Sequence, residues 1–96
     1  MPEWFSEPRA NVIESTSGFS VEVLGRVGMR YSEAGRTAFV DSEVLATPDS
    51  MVAYRDSVKA WDSPHESEPL TAADRDRIID NIRRAFEFCG YRLDVI

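Results

Sequence analysis

One cysteine, one histidine and one lysine occur in these 96 residues, and each scarcity removes a class of function. With Cys89 alone, no internal disulfide forms and no cysteine-based zinc site can be assembled. His65 alone cannot make a His-rich metal site or a triad without other ligands. It lies in a Pro/Ser/Glu loop, where a solvated imidazole is the plain reading. Lys59 is the sole lysine, and the rest of the positive charge is arginine. Against 17 acidic residues stand 11 basic ones, a net charge of −6, which opposes nucleic-acid binding because phosphate contacts need clustered Lys and Arg. Arg26, Arg30 and Arg36 make only a small basic patch. No apolar run approaches the ~18–20 residues of a membrane helix. No N-terminal stretch has the basic, apolar, small-residue order of a signal peptide, so the expected location is the cytoplasm, where a lone thiol stays reduced. Gly25-Arg26-Val27-Gly28 lacks phosphate-loop spacing and leads into no helix.

What is present suits one small globular domain. Hydrophobic residues make up 43% and charged residues 29%, enough for a single core but little spare volume. Residues 1–17 read as an N-terminal arm, interrupted by Pro2 and Pro8, with a short strand expected near 11–14. Trp4 and Phe5 in this arm pack on the protein's own body or on a partner. Residues 18–96 read as a single α+β domain. Phe19, Val21 and Val23 alternate with polar residues, as do Val27, Met29 and Tyr31, so two half-buried strands are expected. A turn at 32–35, a strand at 37–40, a bend or bulge at 41–43, a turn at 47–50 and a strand at 51–55 follow. Short turns between consecutive strands favour an antiparallel meander.

A helix is expected over 72–89. Thr71 is a good N-cap, and Asp74 stands where a capping box needs a carboxylate. Ile78, Ile82, Ala85, Phe86 and Cys89 repeat at offsets of three and four, giving an apolar stripe. Gly90 is placed to end the helix in a left-handed conformation. Tyr91, Leu93 and Val95 then alternate as a last strand. The expected architecture is an antiparallel β-meander of about four to six strands packed on one long C-terminal helix, with a final C-terminal strand.

Candidate chemistry is sparse. Asp41 and Glu43 stand two apart, so on a strand they face one way. Paired carboxylates serve acid–base catalysis or bind divalent cations, and they are also commonly just solvated. Asp62, Glu66 and Glu68 cluster near Trp61, an aromatic ringed by charge as in a protein-binding hot spot; packing of Trp61 in the core is the competing reading. Cys89, on the apolar side of the helix and near its C-terminus, reads as a buried structural thiol rather than a nucleophile.

The segment Tyr54-x-x-Ser57-Val58-x-x-Trp61, then Pro64, Glu68-Pro69-Leu70-Thr71, Asp74 and Ile78-Ile79, resembles the immunity protein 74 family of bacterial polymorphic toxin systems. The likeness spans roughly residues 19–96. It implies neutralisation of a cognate protein toxin by direct binding, in the cytoplasm of the producing cell. The family has no accepted catalytic motif, so no catalytic residue carries over and no cofactor is expected. The partner-binding residues expected are Trp61, Asp62, Glu66 and Glu68, with Asp41 and Glu43 as a second group. Two alternatives stay open. One is a structural or self-assembling domain, a homo-oligomer using Trp4, Phe5 and Tyr31. The other is a metal-binding enzyme using Asp41, Glu43 and His65.

Overall fold

The computed structural model describes residues 3–46 and 50–96. Seven strands form one sheet: β1 Phe5–Arg9, β2 Val12–Ser15, β3 Phe19–Val23, β4 Val27–Glu33, β5 Arg36–Val44, β6 Ser50–Ala53 and β7 Arg92–Val95. They lie in sequence order across the sheet. Neighbours from β1 to β6 are antiparallel, and β6 to β7 is parallel. The parallel pair follows from the helix α1, Ala72–Phe88, which carries the chain between them; parallel neighbours need such a crossover. The fold is α+β.

The strands number seven because residues before Gly18 supply two. Pro8 does not prevent β1, since β1 is an edge strand and the pairing shifts register between Ser6 and Arg9. A missing ladder donor is tolerated in that position. The bend expected at 41–43 is a bulge inside one continuous β5: Val27 pairs with Glu43 but Met29 with Val40, leaving one extra residue on β5. Such bulges bend and twist a strand. The turn expected at 47–50 lies, apart from Ser50, outside the described residues, as does Pro2.

One face of the sheet meets α1. Val21, Met29, Tyr31, Ala38, Val40 and Ala53 have no exposure, and neither do Ile78, Ile82 and Ala85 of the helix. The helix begins with the full capping box: Asp74 N–H donates to Thr71 Oγ1 at 3.1 Å and Thr71 N–H to Asp74 Oδ2 at 2.9 Å. It ends as the glycine predicts. Gly90 has φ +78°, and the amides of Gly90 and Tyr91 bond back to Glu87 and Phe86 carbonyls, the paired bonds of a Schellman termination.

The chain between β6 and α1 positions the candidate site. Strand β6 pairs only with residues 42–44 of β5, leaving the first half of β5 with an open edge. Residues 54–62, which include a 3₁₀ turn at Arg55–Ser57, cover that edge. Tyr54 N–H donates to Asp41 O, Asp41 N–H to Ser57 Oγ, and Asp62 N–H to Thr37 O, each within 2.9 Å. Arg75 Nε then ties Val58 O to the helix at 2.9 Å.

Candidate functional site

Trp61 is not on the surface. Its ring is 1% exposed and belongs to the core formed with Val58, Ala38 and the helix isoleucines. This corrects the expectation of Trp61 as a partner contact: covering β5's open edge turns the ring inward, where its large apolar area is removed from water. Arg36 lies over the ring, its guanidinium carbon 4.1 Å from the centroid, and reaches Glu68 at 3.3 Å. His65 Nδ1 also bonds Glu68. These two partners, His65 first, hold the Glu68 carboxyl below its usual range. Glu68 therefore closes a loop clasp over Trp61. Asp62 accepts a 2.7 Å hydrogen bond from Thr37 Oγ1, and Glu66 is exposed.

Asp41 and Glu43 remain together, beside Tyr54. The Tyr54 phenol is pushed up from its ordinary value by partial burial, then by the charges of Glu43 and Asp41. Among the described residues no group of three or more His, Cys, Asp or Glu is arranged to hold a metal ion, so Asp41, Glu43 and His65 do not meet as such a set. The Cys89 thiol is pushed up to about 11 by burial and by the Glu7 carboxylate, the reverse of what activates a thiol. Of the self-assembly residues, Phe5 and Tyr31 lie in the protein's own core, while Trp4 is 63% exposed with its ring edge-on to Phe88 at 5.0 Å.

The two acidic groups are linked by Phe39, which no pattern in the sequence singles out. Ala38 pairs with Tyr31 and Val40 with Met29, all facing the core, so Phe39 between them points outward, opposite Arg30. It is 45% exposed. Thr37, Phe39 and Asp41 alternate outward along β5, with about 13 Å between Thr37 and Asp41 at strand rise; past the bulge Glu43 also lies away from the core, since Ser42 between the two acids is fully buried. Asp62, held on Thr37, stands at one end of this row and the Asp41–Glu43 pair at the other. Leu24, Arg30, Thr37, Phe39, Asp62 and Ser63 line a shallow depression of about 450 Å³. Arg30 is itself paired with Glu22 at 3.0 Å.

The immunity protein 74 family matches residues 20–96 of this chain. The chain belongs to that family. The match includes β3 from its second residue, β4 to β7, α1 and the whole outward row of β5, and it leaves β1 and β2 outside. Neither curated proteins nor solved structures give a significant match to this immunity protein 74 family member.

Proposed function

We propose that the chain neutralises a cognate protein toxin by direct, non-catalytic binding in the cytoplasm of the cell that makes both. The observation that carries this reading is membership of an immunity-protein family over residues 20–96. The charge supports the chemistry: a net −6 steers a basic partner toward the chain and speeds encounter. Asp41, Glu43, Asp62 and Glu66 are the acids that supply this surface, while Glu68 serves mainly to hold the loop. The mechanism is occlusion, in which the bound immunity protein covers the toxin's working surface.

The test is to co-express the chain with the product of the gene immediately upstream, where a toxin domain is expected. Protection of the cells and recovery of a stoichiometric complex are expected. Cell death with no complex would sink the reading.

A further inference from the structure

The outward face of β5 carries an exposed aromatic ring set in place by a glycine. Gly28 has φ +91°, and the Phe39 ring lies so close over it that a Cβ would stand 2.7 Å from Phe39 Cε1 and 3.7 Å from Leu24 Cδ1. The ring thus packs on the backbone of its neighbour strand, and the more of that position it keeps on binding, the less side-chain freedom is lost. A packed, half-exposed aromatic with an apolar neighbour is the kind of group that dominates protein interfaces.

The surrounding charge says what kind of surface would meet it. On α1, three of the four acids are matched by arginine: Asp74 with Arg77, Asp76 with Arg55 and Asp80 with Arg84. Around Phe39 the balance differs. Arg30 is matched by Glu22, whereas Asp41, Glu43 and Asp62 take part in no ion pair among the described residues. These three carboxylates stand on both sides of the ring.

We infer that Phe39 is the apolar anchor of toxin docking, and that the toxin receives it in an apolar recess rimmed by Lys or Arg that pair with Asp41, Glu43 and Asp62. This rests on the toxin-binding reading and adds the surface and its chemistry. Covering a strand glycine with an aromatic ring also steadies a sheet, so the deciding measurement is binding, not stability.

The experiment titrates the full chain with the toxin domain expected from the gene immediately upstream, after thermal unfolding has shown each variant folded. Phe39→Ala is expected to weaken binding about 30-fold or more, the mark of a hot spot. The double variant Asp41→Lys/Glu43→Lys is expected to slow association and flatten its dependence on salt. Glu87→Lys, at a helix acid with no ion pair among the described residues, is the control and stays within about twofold, as a distant surface charge should. Phe39→Ala binding within about threefold of the parent overturns the inference and leaves the toxin reading standing. Should Phe39→Ala not fold, the double variant decides alone, and unchanged association overturns it. If the parent chain itself does not bind the toxin, the functional reading falls, and this inference with it.

Discussion

Asn81 on α1 donates a 2.8 Å hydrogen bond from Nδ2 to the phenol oxygen of Tyr31 on β4, joining helix to sheet across 50 residues of sequence. Tyr31 has no exposure and Asn81 is 7% exposed. The phenol in turn donates to Glu33 Oε1 at 2.7 Å, and Asn81 Oδ1 accepts from Arg84. Burial, then the neighbouring Glu33 carboxylate, holds the Tyr31 phenol far above its ordinary pKa, so it stays a neutral donor. A polar group buried this deeply must be matched or it costs free energy. The chain is matched from end to end, and it fixes how α1 sits on the sheet.

Removing the phenol oxygen leaves Asn81 Nδ2 buried without its acceptor, while Glu33 keeps Arg77 at 2.9 Å. Tyr31→Phe is therefore expected to lose about 1–2 kcal/mol. Asn81→Ala is expected to cost less than the sum of lost bonds implies, because Tyr31 still donates to Glu33. The double variant should show a coupling of about 0.5–1 kcal/mol. Urea unfolding of all four proteins measures this, and strict additivity would mean that the bond contributes nothing.

Trp61 tests the edge-covering segment. Its indole Nε1 is buried with no hydrogen-bond partner, so the residue is kept for its ring rather than its N–H. Trp61→Ala is expected to cost about 3–5 kcal/mol, a large part of the ~5–15 kcal/mol of a typical domain. Trp61→Phe loses area but also removes the unmatched donor, and is expected to cost under about 2 kcal/mol. Equal losses in denaturant titrations would show that a phenyl ring recovers none of the packing and that the site needs the full indole shape.

The helix was legible because its signals are local. Thr71 and Asp74 stand three apart, the apolar stripe repeats within one segment, and Gly90 closes it. Strands β3, β4 and β7 were legible by alternation, whereas β1 carries Pro8 and a single buried residue and shows no such period; the family likeness was legible between Tyr54 and Ile79. The site was less so. Ala38, Phe39 and Val40 are all apolar, so period two cannot say which of them faces out; only the pairing with Met29 and Tyr31 decides it. Glu68 has one local partner, His65 three residues before it, but its clasp over Trp61 depends on Arg36, 32 residues away, and that is not local. Trp61 looked like an anchor beside acids, but its direction is set by the open edge of β5, a consequence of sheet order that no local window contains.

Gly28 gives a test of close approach that separates two costs. Gly28→Ala meets both the positive φ and the Phe39 ring, whereas Gly35→Ala, at φ +78°, meets open space. Gly35→Ala is expected to lose about 1 kcal/mol from backbone strain alone. Gly28→Ala is expected to lose more, by about 1–3 kcal/mol, the usual cost of overpacking. Adding Phe39→Ala should restore that excess and leave the strain. Thermal unfolding of the single and double variants reads the difference. Equal losses at the two glycines would mean that the ring moves aside freely.

The capping box should be visible as a pH effect. Asp74 accepts from the Thr71 amide and is paired with Arg77 at 2.9 Å, and these partners, the Thr71 amide first, hold its carboxyl below the usual aspartate value. A depressed folded-state pKa means that the unfolded chain binds the proton more readily. The stability contributed is then fully present above the unfolded pKa of about 3.9 and is lost as pH falls through the lower folded value. Asp74→Asn keeps most of the size but not the charge, and Thr71→Ala removes the reciprocal cap at a cost of about 1 kcal/mol. At neutral pH the parent is expected to be more stable than Asp74→Asn. That gap should narrow as pH drops below about 4, while the Thr71→Ala deficit retains the part due to the lost hydroxyl acceptor. Urea midpoints measured across the acid range give both curves. A parent-to-Asp74→Asn gap that stays constant down to the lowest pH would show that Asp74 titrates alike in the folded and unfolded chains, and that its charge contributes nothing to holding the start of α1.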